Sequence, residues 1–132
     1  MKPLVTLLLS LCLFSACESE GESVTAMSAP QQLTAAPWYF YSIDGGEGYD
    51  CVKQGSLVFG EDGTLTLNTY IRTPIYTCDG PIVTTAKYTM KENDTVVSWD
   101  GEDFRIDKLT DKEFIKSTTR AGKHHVWVYK RY

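Results

Sequence analysis

The chain has 132 residues, of which 13 are Lys or Arg and 17 are Asp or Glu, so its formal net charge is −4 at pH 7. This acidic balance is poorly suited to binding nucleic acid or an anionic membrane surface, and no nucleic-acid partner is predicted. The length allows one domain with one modest hydrophobic core.

Residues 1–16 predict an export signal. Lys2 makes the start basic, residues 4–14 form an apolar run, and small residues stand directly before Cys17. An apolar run of this length is too short to cross a bilayer as a helix and is typical of a cleaved secretory signal peptide. The chain is therefore expected to leave the cytoplasm.

The end of this signal resembles the lipobox of bacterial lipoproteins, in which small residues precede a cysteine that is diacylated on sulfur. Ser15 and Ala16 fit that pattern before Cys17, while Phe14 stands where leucine is usual. An ordinary signal peptide with an incidental cysteine is the alternative. Because several acyl chains anchor a protein stably, the resemblance implies a lipid-anchored protein of the cell envelope, with the outer membrane as the expected location.

Residues 17–36 are predicted to form a flexible acidic and polar tether. Ser, Glu, Ala, Gln and Thr dominate this stretch, and large apolar residues are few. Such a composition buries too little surface to offset its chain entropy. The folded domain is accordingly predicted over residues 37–132.

The four cysteines divide into two groups. Cys12 leaves with the signal peptide and Cys17 is the predicted lipidation site, so Cys51 and Cys78 are left in an oxidising compartment. We predict a disulfide between them. A metal site is the weaker alternative, because neither cysteine has the close second ligand that zinc spacings require.

Short runs rich in aromatic and β-branched residues follow one another through the folded part. The predicted strands cover residues 38–43, 56–59, 64–71, 82–90, 95–99, 103–109, 113–119 and 124–131. Turn signals such as Glu61-Asp62-Gly63, Asp79-Gly80-Pro81 and Asp100-Gly101-Glu102 separate them. The clearest hairpin joins Leu57 and Phe59 to Leu65 and Leu67, whose side chains share one apolar face.

Eight strands with short connections predict an all-β fold, a small antiparallel up-and-down barrel, because closure removes both exposed sheet edges. A two-sheet sandwich is the alternative, against which the lack of long connections counts. In the first strand, the alternation leaves open whether Trp38, Phe40 and Ser42 or their neighbours face the interior.

Several motifs of the folded part stand in a characteristic order. They are Trp38, Cys51, Ser56-Leu57-Val58-Phe59, Asp62-Gly63-Thr64, Cys78, Tyr88, Ile106-Asp107-Lys108-Leu109-Thr110-Asp111 and Val126-Trp127-Val128-Tyr129-Lys130-Arg131. This order resembles the bacterial lipocalin-like domain, a family that consists mostly of secreted lipoproteins. The resemblance implies a lipocalin-like β-barrel with a disulfide and an internal site for a small apolar molecule, and it supplies no binding residues to carry over.

An eight-stranded barrel is either filled by side chains or holds one small ligand. The candidate ligand-binding residues are the large side chains Tyr88, Trp99, Phe104 and Trp127. A plain aromatic core is the alternative interpretation of the same residues. No metal site is predicted, because the adjacent His124 and His125 point to opposite faces of a strand and cannot easily share an ion. No cofactor and no catalytic residue are predicted either.

Two functional classes are therefore open, a carrier of a small apolar molecule and an interaction module that binds a protein or glycan. Small disulfide-bonded barrel lipoproteins that inhibit hydrolases such as lysozyme illustrate the second class. The apolar connection 70–76 distinguishes the two. Side chains turned inward over a cavity favour the carrier, and an exposed ridge favours the interaction module.

Overall fold

The computed structural model describes residues 27–132, which form one short helix and nine strands. The helix α1 spans Ala29–Thr34, and the strands are β1 (Trp38–Ile43), β2 (Gly46–Glu47), β3 (Ser56–Phe59), β4 (Thr64–Arg72), β5 (Cys78–Lys91), β6 (Val96–Trp99), β7 (Glu102–Leu109), β8 (Glu113–Arg120) and β9 (Lys123–Lys130). The predicted signal peptide, Cys17 and the first part of the tether lie outside the described residues. No helix among residues 27–132 has the length and apolar character needed to cross a membrane.

The strands close into a barrel. From β3 to β9 each strand pairs antiparallel with the next, β1 pairs with β3, and β1 also pairs with β9. The two-residue strand β2 adds to β1 at the rim. Apart from β2, this is the closed antiparallel up-and-down barrel of eight strands that the sequence predicted, and the fold class is confirmed.

The hairpin of β3 and β4 supplies part of the barrel core. Leu57 lies opposite Leu67 and Phe59 opposite Leu65 in the ladder, and Leu57, Phe59 and Leu65 are buried. The connecting turn contains Gly63 at φ +85°, a conformation that glycine adopts without steric cost. The predicted apolar face of this hairpin is therefore the inner face.

Closure of the barrel decides which side chains of β1 face inward. Trp38 is fully buried, Ser42 is buried, and Phe40 packs against the core from the same side. Tyr39 and Ile43 lie on the exposed side. The alternation that the sequence left open is thus resolved in favour of the set that begins at Trp38.

The tether prediction is wrong over its last residues. Residues 29–34 form α1, which begins at a capping box between Ser28 and Gln31, and Leu33 is fully buried. The stretch orders because the barrel offers an apolar end on which a single leucine can be buried, a partner that the local composition does not reveal. The domain therefore starts near residue 28 instead of 37.

Two hydrogen-bonding side chains fix α1 across one end of the barrel, which we call the helix end. Trp38 Nε1 donates to the carbonyl oxygen of Leu33 at 3.2 Å. The Arg131 guanidinium donates to the carbonyl oxygens of Gln32 at 2.6 Å and Ala36 at 2.7 Å. These bonds satisfy carbonyl groups at the end of the helix, which have no partner within it.

The hairpin of β4 and β5 reaches beyond the barrel wall at the opposite end, which we call the hairpin end. The predicted turn at residues 79–81 is wrong, since β5 starts at Cys78 and pairs with β4 as far as Arg72. A register shift absorbs Gly80, where a Cβ atom would lie 2.8 Å from the carbonyl oxygen of Thr69. Within the described chain, the β5–β6 ladder covers Tyr88–Lys91, so residues 78–87 are paired on their β4 side alone.

The predicted disulfide is confirmed. Cys51 and Cys78 are bonded, with their Cα atoms 5.4 Å apart and a separation of 27 positions in the sequence. Cys51 immediately precedes a 3-10 turn over Val52–Gln54, and Cys78 begins β5. The bond therefore ties this 3-10 turn to the outer part of the projecting hairpin, next to the hairpin's own turn.

Candidate functional site

The four candidate ligand-binding residues lie in one aromatic cluster inside the barrel. The ring centroids of Trp99 and Phe104 are 4.4 Å apart, and those of Phe104 and Trp127 are 5.7 Å apart. Tyr88 belongs to the cluster through Phe59, since the ring centroids of these two residues are 5.0 Å apart. The Tyr88 hydroxyl donates to the carbonyl oxygen of Gly60 at 2.6 Å. The structure brings the four together, but their rings pack on one another and fill this part of the interior.

A lysine that the sequence analysis missed lies among these rings. Lys116 on β8 is 3% exposed, and its Nζ lies 3.5 Å from the ring centroid of Phe104, 4.0 Å from that of Trp127 and 4.8 Å from that of Trp99. The ring of Tyr129 is 5.9 Å away. Among the described residues, no carboxylate oxygen lies within 4.0 Å of this amine. The lysine thus occupies an aromatic cage.

Burial controls the charge of Lys116. Loss of solvation lowers its pKa to about 7, with the Glu102 carboxylate acting in the opposite direction and Arg120 adding to the decrease. Glu102 and Arg120 form a two-bonded ion pair, which holds the pKa of the Glu102 carboxyl below its ordinary value. Because this carboxylate already has a partner, it compensates the buried amine incompletely.

His125 takes part in a polar contact at the rim of the hairpin end. Its Nδ1 lies 2.8 Å from Oδ2 of Asp44, and the other oxygen of Asp44 accepts from the backbone N–H of Val126 at 2.7 Å. These hydrogen bonds, the backbone one first, lower the pKa of Asp44. His124 lies exposed on the neighbouring position. In residues 27–132 no cluster of three or more His, Cys, Asp or Glu side chains is placed to hold a metal.

An apolar cavity of about 170 Å³ lies where β1, β3 and β4 meet, toward the hairpin end. Its wall is formed by Phe40, Val52, Gly55, Ser56, Leu57, Leu67, Asn68, Thr69, Tyr70 and Tyr129. None of the four candidate ligand-binding residues lines it. Tyr129 connects the two regions, since it borders this cavity and also stands beside the Lys116 cage.

The projecting hairpin carries an exposed surface that we call the hairpin patch, formed by Tyr49, Ile71, Arg72, Ile75 and Tyr76. Ile75 and Tyr76 are both 77% exposed. The Arg72 guanidinium lies 4.4 Å from the ring centroid of Tyr76 and 5.2 Å from that of Tyr49. Most of the connection 70–76 therefore forms an exposed ridge, while Tyr70 at its start borders the cavity.

The sequence would predict that Lys116 faces the barrel interior if one inward-facing residue of β8 were known. Phe114 is fully buried, and strand alternation then places Lys116 on the same inner face. The cavity has no comparable signal, because Val52 and Gly55 reach it through the 3-10 turn that the disulfide holds.

A closed antiparallel meander with a short helix across one end defines a lipocalin-like architecture. No protein-family model matches the chain, and no curated protein matches it significantly. Among solved structures, the complex of bovine odorant binding protein with undecanal is similar to it, with 15% sequence identity over 84% of this chain and 77% of that chain and a TM-score of 0.45. A likeness of this size carries no argument about function.

Proposed function

We propose that the barrel binds a small apolar molecule in the cavity between β1, β3 and β4. The observation that carries this proposal is the apolar cavity itself, in which Phe40, Leu57 and Leu67 present side chains to a space of about 170 Å³. An enclosed apolar cavity of about 150 Å³ stays dry and binds benzene, and the space here, although open to solvent on one side, has a similar volume and a largely apolar lining. A site of this size favours a molecule of one or two rings over the larger ligands that fill pockets of about 300 Å³ or more.

The cavity has a physical origin in the fold. β3 pairs with β4 as far as Ser56, and β4 then continues into the projecting hairpin without β3 beside it. The 3-10 turn covers the space left next to these strands, and the disulfide fixes that turn in place. Small residues such as Gly55 line this space without filling it, so a cavity remains between the larger side chains.

Filling the cavity is expected to abolish binding. With the purified domain, benzene and naphthalene should shift the methyl NMR signals of Leu57 and Leu67 in a saturable manner. The variant Leu67→Trp should weaken the binding at least tenfold, because the larger side chain occupies the cavity. Thr66→Trp, one position away on the outer face, should bind as the wild-type domain does. An absence of saturable shifts in the wild type, or equal binding by Leu67→Trp, would contradict the proposal.

We also propose that the exported chain is anchored in the cell envelope, at the outer membrane, through lipid on Cys17. The apolar run and the small residues before this cysteine support the proposal. The full chain, expressed in a bacterium with two membranes, should partition into a detergent phase, and Cys17→Ser should partition into water. Cys12→Ser is the matched control and should stay in the detergent phase. Detergent partitioning by Cys17→Ser would show that this cysteine carries no anchor.

A second candidate function, favoured by the exposure of Ile75 and Tyr76, is binding of a basic hydrolase such as lysozyme through the hairpin patch. Exposed tyrosines and arginine are typical of the centres of protein interfaces. The net charge of −4 complements a basic partner.

The domain is then expected to reduce lysozyme activity, and the double variant Ile75→Ser with Tyr76→Ser should lose at least tenfold in inhibitory potency, since it removes the exposed apolar contact area. Tyr132→Ser provides the control, because Tyr132 is 86% exposed and follows β9 at the helix end. Full lysozyme activity in the presence of the wild-type domain would eliminate this candidate.

A further inference from the structure

The amine of Lys116 is held in a way that leaves its nitrogen available for chemistry. Three ring centroids lie within 4.8 Å of Nζ, and no carboxylate lies within 4.0 Å of it in the described part of the chain. Aromatic faces attract an ammonium but accept no proton from it. When the amine loses its proton, the lone pair therefore faces aromatic surface and the barrel interior instead of an acidic partner.

The titratable groups around the cage favour the neutral amine. Glu102 on β7 is engaged by Arg120 on β8, and Arg120 itself adds positive charge near the lysine. Burial raises the pKa of Tyr129 on β9, which keeps this phenol neutral. With a pKa of about 7, roughly half of the Lys116 amine is unprotonated at neutral pH, whereas an ordinary exposed lysine holds about one free amine in a few thousand.

The cage lies near the point where β5 loses its second neighbouring strand. Trp99, which forms one side of the cage, is the last residue of β6 that pairs with β5, opposite Tyr88. Beyond this pair, in residues 78–87, β5 has no second strand beside it in the described chain. The cage therefore lies next to the end of the two-sided pairing of β5, where strand pairing constrains the wall least. It also shares Tyr129 with the apolar cavity.

We propose that Lys116 is a reactive amine that captures a small aldehyde inside the barrel as an imine. Nζ bonds to the carbonyl carbon, the C=O electron pair moves to oxygen, and a proton passes from nitrogen to that oxygen to give a carbinolamine. Loss of one water then leaves the C=N bond, so no oxidant or reductant is required. A desolvated lysine near a second cation is a recognised arrangement for this chemistry.

This inference deepens the proposed function and rests on it in one respect, namely that an apolar aldehyde enters the interior. The ligand class it adds is an aldehyde with a small apolar body. The rings of Phe104, Trp127 and Trp99 pack closely around Nζ, so they would move apart to admit that body and then pack on it while the carbonyl carbon meets Nζ. Exposed lysines lack this combination of aromatic surface and neutral amine.

The test uses benzaldehyde with cyanoborohydride, which delivers hydride to an imine and fixes it for peptide mass spectrometry. At pH 7, Lys116 should be labelled at least tenfold faster than the exposed Lys123. The ratio of its rate to that of Lys123 should fall as pH rises above 7, because the free-amine fraction of Lys116 levels off there while that of an ordinary lysine continues to increase. Lys116→Met should lose the fast phase and keep the slow labelling elsewhere. Labelling of Lys116 at or below the rate of Lys123 would overturn the inference.

Toluene, which has the same ring and no carbonyl, separates this inference from the proposed function. Saturable toluene shifts at Leu57 together with slow labelling of Lys116 would leave the apolar site standing and remove the imine. Fast labelling of Lys116 in both wild type and Leu67→Trp would support the amine and show that the aldehyde reaches it without occupying the cavity.

Discussion

Replacing Lys116 by methionine is expected to stabilise the domain at neutral pH by about 3 kcal/mol. The folded amine has a pKa of about 7 instead of 10.5, and a difference of this size corresponds to about 5 kcal/mol in favour of the neutral form. Cation–π contacts with the cage rings offset part of that cost while the amine is charged. Methionine has a similar shape and no charge, so it retains the packing and removes the desolvation penalty.

The stabilisation depends on pH in a defined direction. The folded amine releases its proton near pH 7, whereas the unfolded amine releases its proton near its ordinary value of 10.5. Between these two values the unfolded chain binds more protons, so the free energy of unfolding of the wild type rises with pH relative to the variant. The advantage of Lys116→Met is therefore largest at pH 7 and below, and it decreases toward pH 10.

Urea unfolding of both proteins at pH 6, 7, 8 and 9 measures this difference. Lys108→Met is a matched control, because Lys108 is half-exposed and paired with Glu113 at the surface. Its effect should stay within about 1 kcal/mol at every pH. A Lys116→Met advantage that is constant from pH 6 to 9, or a variant less stable than the wild type throughout, would show that the amine is not desolvated as described.

The barrel was predictable because alternation along its strands is a local property. Leu57, Phe59, Leu65 and Leu67 occupy alternate positions on either side of the Gly63 turn, so their side chains share one face of the hairpin wherever it lies in a sheet. The inward face of β1 was not predictable, since both sets of its side chains are apolar. Pairing with β9, which is far away in sequence, decides it.

The helix α1 shows what local sequence omits. Ser28 and Gln31 form a capping box around a proline, a helix-start signal that is present in the sequence. A helix of six residues is nevertheless unstable alone, and Leu33 is its single buried residue. Its stability comes from the barrel end, so a prediction made from composition assigns the stretch to a tether.

The candidate site was predictable in composition but not in arrangement. Aromatic residues that line a pocket and aromatic residues that fill a core have the same alternation, and only their mutual distances separate the two cases. The distance of 4.4 Å between Trp99 and Phe104 shows a filled region. The cavity lies elsewhere, where the pairing of β3 with β4 ends at Ser56 while β4 continues to Arg72. Its position depends on the exact lengths of these strands, which the sequence predicts only approximately.

Trp38→Ala is expected to destabilise the domain by about 3–5 kcal/mol, the range for truncating a fully buried aromatic residue. Trp38 packs on Phe114 with ring centroids 5.6 Å apart and donates to the carbonyl oxygen of Leu33. The Arg131 guanidinium, which donates to the carbonyl groups at the end of α1, lies 3.4 Å from the ring centroid of Trp38. The substitution therefore opens a cavity and also removes the surface on which α1 is held.

Because small domains are stable by about 5–15 kcal/mol, this loss leaves the domain close to unfolding at 37 °C. Urea unfolding at pH 7 measures it, and Trp38→Phe is the control. Phenylalanine keeps the ring contact with Phe114 and loses the Nε1 hydrogen bond, so it should cost about 1–2 kcal/mol. Proteolysis between residues 27 and 36 should accelerate more in Trp38→Ala than global unfolding explains, because α1 loses its own contacts. A cost below about 2 kcal/mol for Trp38→Ala, with α1 equally protected, would mean that the helix end is held by Arg131 without Trp38.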